Sequence, residues 1–155
     1  MKESSNKKRI FTKEEIEKNI EKLFVKLWPR MMGREIAKSA CYNNLDDIVE
    51  KFNTHSTSFN KLLSSLSSMD GLGLVISTGL IFIAYPDSAV PFDKYTMGYS
   101  LKVNILYNPN ISDNRYLDAC SKVVEYIDNH PTINNILEFV RMAGNIDPIL
   151  LTSPE

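Results

Sequence analysis

Asp93 and the glycine pair Gly71 and Gly73 are the residues of this chain best suited to chemistry, and Gly73 lies twenty positions before Asp93. Asp93 stands directly before Lys94-Tyr95-Thr96 and an amphipathic run, which is a helix N-cap position. There a carboxylate accepts from backbone N–H groups and feels the helix dipole. Met69-Asp70-Gly71-Leu72-Gly73 puts one apolar residue between two glycines, so the chain can turn with positive φ and bring another backbone close. Leu72 is expected to plug into the core. The next helix, expected from about Leu74, then points its first N–H groups outward, a natural site for an anion. Together the two features suggest an anion held by backbone N–H groups with one fixed negative charge nearby. Each also has a plain reading: a helix cap worth about 1 kcal/mol and a tight interhelical turn. Spacing leaves both open.

The other reactive side chains offer less. Cys41 and Cys120 lie far apart, match no metal-binding spacing, and fall short of the four ligands an iron–sulfur cluster needs; reduced, buried thiols are expected. His55 sits in the polar turn Asn53-Thr54-His55-Ser56-Thr57-Ser58, where a solvated imidazole is the expectation. Trp28, the single tryptophan, reads as a core anchor before it reads as a base-stacking platform. No metal or cofactor is called for.

These groups need a scaffold, and 155 residues with 43% apolar and 24% charged content suffice for one domain with a real core. The expected layout is a basic, disordered tail over residues 1–10, a single all-α domain over 11–144, and a C-terminal tail over 145–155. The longest apolar stretch, Leu72 to Tyr85, is too short to span a bilayer. The opening Met1-Lys2-Glu3-Ser4 run has no secretory character, so a cytoplasmic protein without membrane contact is expected. The net charge of −1 is uneven: residues 1–39 carry 11 Lys/Arg against 6 Glu, and residues 40–155 carry 7 against 13 Asp/Glu. The total counts against a general nucleic-acid binder, while the basic first third can still supply a phosphate-facing patch.

Seven or eight helices are expected. Thr12 and Glu15 form a capping box ahead of a stripe of Ile16, Ile20, Leu23, Phe24 and Leu27, which stops near Trp28-Pro29. Further helices read from Arg30 to Tyr42, Asn44 to Phe52, and near Thr57 to Ser67. Leu74 to Tyr85 is apolar on nearly all sides and should be central; its small residues Ser77, Thr78 and Gly79 would let neighbouring backbones come close. Pro86 ends it. After Asp93 an amphipathic run continues through Met97, Leu101, Ile105 and Leu106. Asp113 starts another helix, and Thr132 is expected to cap the last, which stops at Gly144. Val90 to Phe92 could be extended, but no convincing strand pattern exists.

Met69-Asp70-Gly71-Leu72-Gly73 followed by Phe92-Asp93-Lys94-Tyr95 resembles the hairpin and catalytic segment of the helix-hairpin-helix DNA glycosylases. Those enzymes show Leu-Pro-Gly-Val/Ile-Gly, a buried helix, and Val-Asp-Thr/Ser-His/Arg. The Pro86-Asp87 and Val90-Pro91-Phe92-Asp93 portion is similar to an uncharacterised branch of that superfamily, as is the run from Tyr116 to Cys120. The resemblance spans roughly residues 40–143, with its motifs in 69–96. It implies an all-helical fold in which backbone N–H groups of Gly71, Leu72 and Gly73 hold a DNA phosphate while a damaged nucleotide is flipped into a pocket. It implies that Asp93 stabilises the positive charge developing on the sugar or activates the nucleophile. Val75 and Lys94 are further candidate nucleic-acid contacts, although Lys94, as the first residue of its helix, is expected to point to solvent. Val75 stands where bifunctional members carry a Schiff-base lysine and has no amine, so lyase chemistry by that route is absent. Asp70 replaces the usual hairpin proline and puts a negative charge near the expected phosphate.

Three functions follow as expectations: a monofunctional glycosylase-like enzyme hydrolysing an N-glycosidic bond through Asp93, a non-catalytic helix-hairpin-helix DNA-binding module, and a helical interaction protein that has lost DNA contact. The first requires the bend and the carboxylate to converge on one concave face.

Overall fold

The computed structural model describes residues 9–108 and 111–144; residues 1–8 of the tail expected over 1–10, and the tail expected over 145–155, lie outside the described residues. Among the described residues the chain is all-α, with eight α-helices and no strand. None is long and apolar enough to cross a membrane.

Helix α1 (Lys13–Lys22) opens with the expected capping box: Thr12 Oγ1 accepts from the N–H of Glu15 (3.1 Å) and the Glu15 carboxylate accepts from the N–H of Thr12 (3.2 Å). It widens into a π-turn over Leu23–Leu27, closed by the N–H of Trp28 donating to the carbonyl of Leu23 (2.9 Å). The helix expected from Arg30 starts later, as α2 (Arg34–Asn43). Two successive turns occupy the interval: Met31 N–H to Trp28 O (3.3 Å) and Arg34 N–H to Met31 O (3.2 Å). Pro29 suits the first corner of one turn, and Gly33, at φ +72°, suits the second corner of the other.

Helices α3 (Leu45–Thr54) and α4 (Phe59–Ser67) follow, α4 capped by Ser58. They bury Ile48 and Phe52, and Phe59, Leu62, Leu63 and Leu66, as the 3.6-residue pattern requires. Helix α5 (Gly73–Ala84) is the central element. From Ile76 to Phe82 every residue is buried, and only its first three are exposed. Gly79 matters here: a Cβ would lie 2.7 Å from the Trp28 ring and from Leu23 Cδ1. The small residue thus admits an indole, where a backbone was expected. The far end of α5 is tied down by Arg9, whose guanidinium donates to the carbonyl of Ala84 (3.0 Å) and satisfies one of the orphan acceptors of a helix C-terminus.

Helix α6 (Lys94–Lys102) is shorter than its amphipathic pattern, because Asn104 takes φ +62° and turns Ile105 and Leu106 back into the core. A 3₁₀ turn at Asp113–Arg115 leads into α7 (Tyr116–Asp128). The side chain of Asn60 closes that helix start from α4, accepting from Leu117 N–H (2.7 Å) and donating to Asn114 O (3.1 Å). The last helix, α8 (Ile136–Gly144), is capped by Asn135 and not by Thr132: Asn135 Oδ1 accepts from the N–H of Glu138 (2.9 Å).

Candidate functional site

The glycine bend takes the backbone form its composition demands. Gly71 and Gly73 sit at φ +84° and +66°, a region closed to most side chains, and Leu72 between them is 3% exposed. Leu72 therefore offers a ligand its backbone only. A Cβ on Gly71 would lie 2.7 Å from the Cβ of Ala40, so the close approach is to α2. Asn44 staples the two together, its amide donating to the carbonyls of Ala40 (2.8 Å) and Asp70 (3.1 Å). Helix α5 then starts without any side-chain cap, with Gly73, Leu74 and Val75 exposed.

Beside the bend lies an open depression of ≈ 570 Å³ whose lining includes Glu35, Ile36, Asn44, Asp70 and Gly71. Its charged groups are the carboxylates of Glu35 and Asp70, the former ion-paired with Arg34. That sign opposes a phosphate in this particular hollow. A second depression, ≈ 380 Å³, runs along α1 past Glu14, Glu17, Lys18, Glu21 and Tyr42. There the Tyr42 hydroxyl donates to Glu21 and, with Lys38, holds its carboxyl below the usual range, while burial pushes the Tyr42 phenol up. Neither depression includes Asp93.

Asp93 is partly exposed and caps α6 as expected: Oδ1 accepts from the N–H of Thr96 (2.8 Å). Its other oxygen, Oδ2, accepts from Trp28 Nε1 (2.9 Å) across 65 residues of chain. Trp28 is 8% exposed, so its indole N–H had to find an acceptor. The expected core anchor is thus also a strut holding the carboxylate. Lys94 is exposed, with Nζ 5.0 Å from the centre of the Tyr95 ring.

One hydrogen-bonded path joins the residue before this carboxylate to the start of α5. The Thr78 hydroxyl donates to the carbonyl of Val75 (2.8 Å) and accepts from the N–H of Phe92 (3.0 Å), the residue before Asp93. Val75, Thr78 and Gly79 share a helix face by their i, i+3, i+4 spacing, and Gly79 is where Trp28 packs. The first turn of α5 is therefore tied to the residue preceding Asp93, and Lys94 follows Asp93 in the chain. Gly71 turns instead toward α2. Trp28 and Thr78 were missed as site residues: a buried indole demands some acceptor, but nothing local says which.

Comparison with known proteins supplies no relative: no family model, no curated protein and no solved structure matches the chain.

Proposed function

We propose that this chain is a DNA glycosylase-like protein that hydrolyses an N-glycosidic bond by a monofunctional route, with Asp93 as a fixed negative charge. What supports the reading is the Val75–Thr78–Phe92 path, which ties the first turn of α5 to the residue preceding the carboxylate. The Gly71 bend turns toward α2 and neither depression includes Asp93, so in place of the expected concave face the reading uses the open surface at the start of α5. A sugar losing its base develops positive charge, and a carboxylate pinned by two N–H donors stabilises that charge without having to reorganise. The same two donors take one oxygen each and fix the carboxylate's orientation, while each oxygen keeps a lone pair for substrate or water. Of the expected phosphate contacts, the Leu72 N–H donates instead to the carbonyl of Met69 (3.2 Å), so the proposed contact is the backbone of exposed Gly73 and Leu74 at the uncapped start of α5.

A second reading, a DNA-binding module without catalysis, is favoured by the same bonds: a carboxylate that caps one helix and braces one indole has a complete structural role. Base release from a panel of damaged duplexes separates the two. The glycosylase reading expects release by the wild type and a fall of at least about a hundred-fold in Asp93→Asn, with duplex affinity kept. Binding without release from any lesion by either protein leaves the module.

A further inference from the structure

The two turns joined by the Trp28–Asp93 bond carry a set of exposed groups that the glycine bend lacks. In the double turn after α1, Met31 packs inward while the corner residues Pro29, Arg30 and Met32 are exposed, Met32 to 96%. Both ends of this turn are fixed: Trp28 donates to Asp93 (2.9 Å) and packs on Gly79, and Arg34 Nε donates to the carbonyl of Phe24 (2.8 Å). An apolar tip on a braced turn is presented to solvent at fixed position. Across the Trp28–Asp93 bond, Lys94 and Tyr95 open α6, and Tyr95 is 54% exposed. Arg30 has no carboxylate partner among the described residues, and Lys94 meets only an aromatic face. The two turns that the Trp28–Asp93 bond joins thus carry two exposed cations, an aromatic ring and an apolar tip, in a chain whose net charge is −1.

We infer that this rim, made by Arg30, Met32, Lys94 and Tyr95, is the surface that grips a nucleic-acid strand, in place of the carboxylate-lined hollow at the bend. Cations without carboxylate partners attract the phosphate backbone. A half-exposed tyrosine gives an unstacked base a face to lie on, and an apolar side chain standing clear of the surface can enter the gap a displaced base leaves. The inference rests on the DNA-acting reading proposed above. It deepens that reading by naming the side chains and the chemistry of the contact: phosphates on Arg30 and Lys94, a base on Tyr95.

The test is fluorescence anisotropy of the full chain with a labelled duplex containing one abasic-site analogue, across a salt series. Circular dichroism melts check that each variant is folded. Arg30→Glu is expected to weaken binding at least ten-fold and to flatten the salt dependence. Tyr95→Ala is expected to weaken it roughly ten-fold at unchanged salt slope. Lys122→Glu, an equal charge change on α7, is expected to stay within about two-fold. If the wild type binds while Arg30→Glu and Tyr95→Ala bind equally well, the rim is refuted and the DNA reading survives. A gain in affinity from Asp70→Asn with no loss from Tyr95→Ala would refute it too, moving the strand to the bend. Polyglutamate displacing the duplex, with Tyr95→Ala again silent, would make the rim a general acidic-polymer site and refute it. No binding by the wild type, together with no base release, removes both the rim and the function it serves.

Discussion

The segment from Val90 to Asp93 is held at its two ends by opposite kinds of chemistry. At Val90, α7 supplies both partners: the Tyr116 hydroxyl donates to the Val90 carbonyl (2.8 Å), and Cys120 Sγ accepts from the Val90 N–H (3.4 Å). All three residues are fully buried, and burial pushes the Cys120 thiol up to about 12 and the Tyr116 phenol well above its usual value. The clasp is neutral near pH 7 and every polar group of Val90 is satisfied. Three residues on, Asp93 is partly exposed, is followed in the chain by exposed Lys94 and Tyr95, and is bonded to Trp28, two residues before exposed Arg30. A neutral, sealed contact holds shape and has no reason to meet solvent. A carboxylate kept at the surface by an indole and a backbone N–H holds shape as well, but stays available to a charged ligand. The difference separates an end that only holds shape from an end that a charged ligand can reach.

The comparison breaks first if the sealed end is unimportant to stability. Tyr116→Ala removes a ring packed against Phe59 and Phe92, with centroids 6.1 and 6.2 Å away, and strands the Val90 carbonyl. A loss of about 3–5 kcal/mol is expected in urea unfolding. A loss under about 1 kcal/mol would mean that the buried clasp is not what anchors the segment.

The open end is expected to matter less and to show coupling. Trp28→Phe deletes the N–H that Asp93 Oδ2 accepts and also the outer edge of the indole that packs on Gly79, so the cycle and not the single change isolates the bond. Asp93→Asn keeps one oxygen for the Thr96 cap and turns an amide NH₂ toward the indole donor, so two donors then face each other. In the double-mutant cycle the amide change should therefore cost less when the indole is already gone. A coupling energy of about 1–2 kcal/mol is expected, reduced from the full value of a charged hydrogen bond by solvent access. Strict additivity would mean that the bond contributes nothing in solution, and Trp28 would then be an ordinary core residue.

Much of this architecture was legible in the residues, though unevenly. The capping box at Thr12 and Glu15, the bend at Gly71 and Gly73, the all-round apolar α5 and the cap at Asp93 all depend on residues within a few positions of one another, which is the range over which periodicity and capping speak. Arg30 to Gly33 was misread as helix because the periodic pattern beyond it outweighed Pro29 and Gly33, whose turn preferences are equally local. Asn135 with Glu138 is a capping pair visible in the sequence, masked by Thr132 standing directly after Pro131. The Trp28–Asp93 bond has no local signal. A buried indole needs an acceptor and a capping carboxylate has an oxygen to spare, but sixty-five residues separate them and only packing on Gly79 introduces one to the other.

The smallest expected effect tests how complete the open end is. Thr96 is fully buried; its N–H serves Asp93, yet its hydroxyl has no partner, whereas at the Val90 end both backbone groups are matched. A buried hydroxyl without a hydrogen bond is a cost carried by the fold. Thr96→Val retains the β-branched shape and the backbone N–H while deleting that group, so the cap should persist and stability should stay level or rise by about 1 kcal/mol. A thermal melt at neutral pH reads the sign directly. If the variant is destabilised by more than about 1 kcal/mol, the hydroxyl has a partner in solution. The end of the segment at Asp93 would then be as fully matched as the end at Val90, and the contrast between them would narrow to charge and exposure alone.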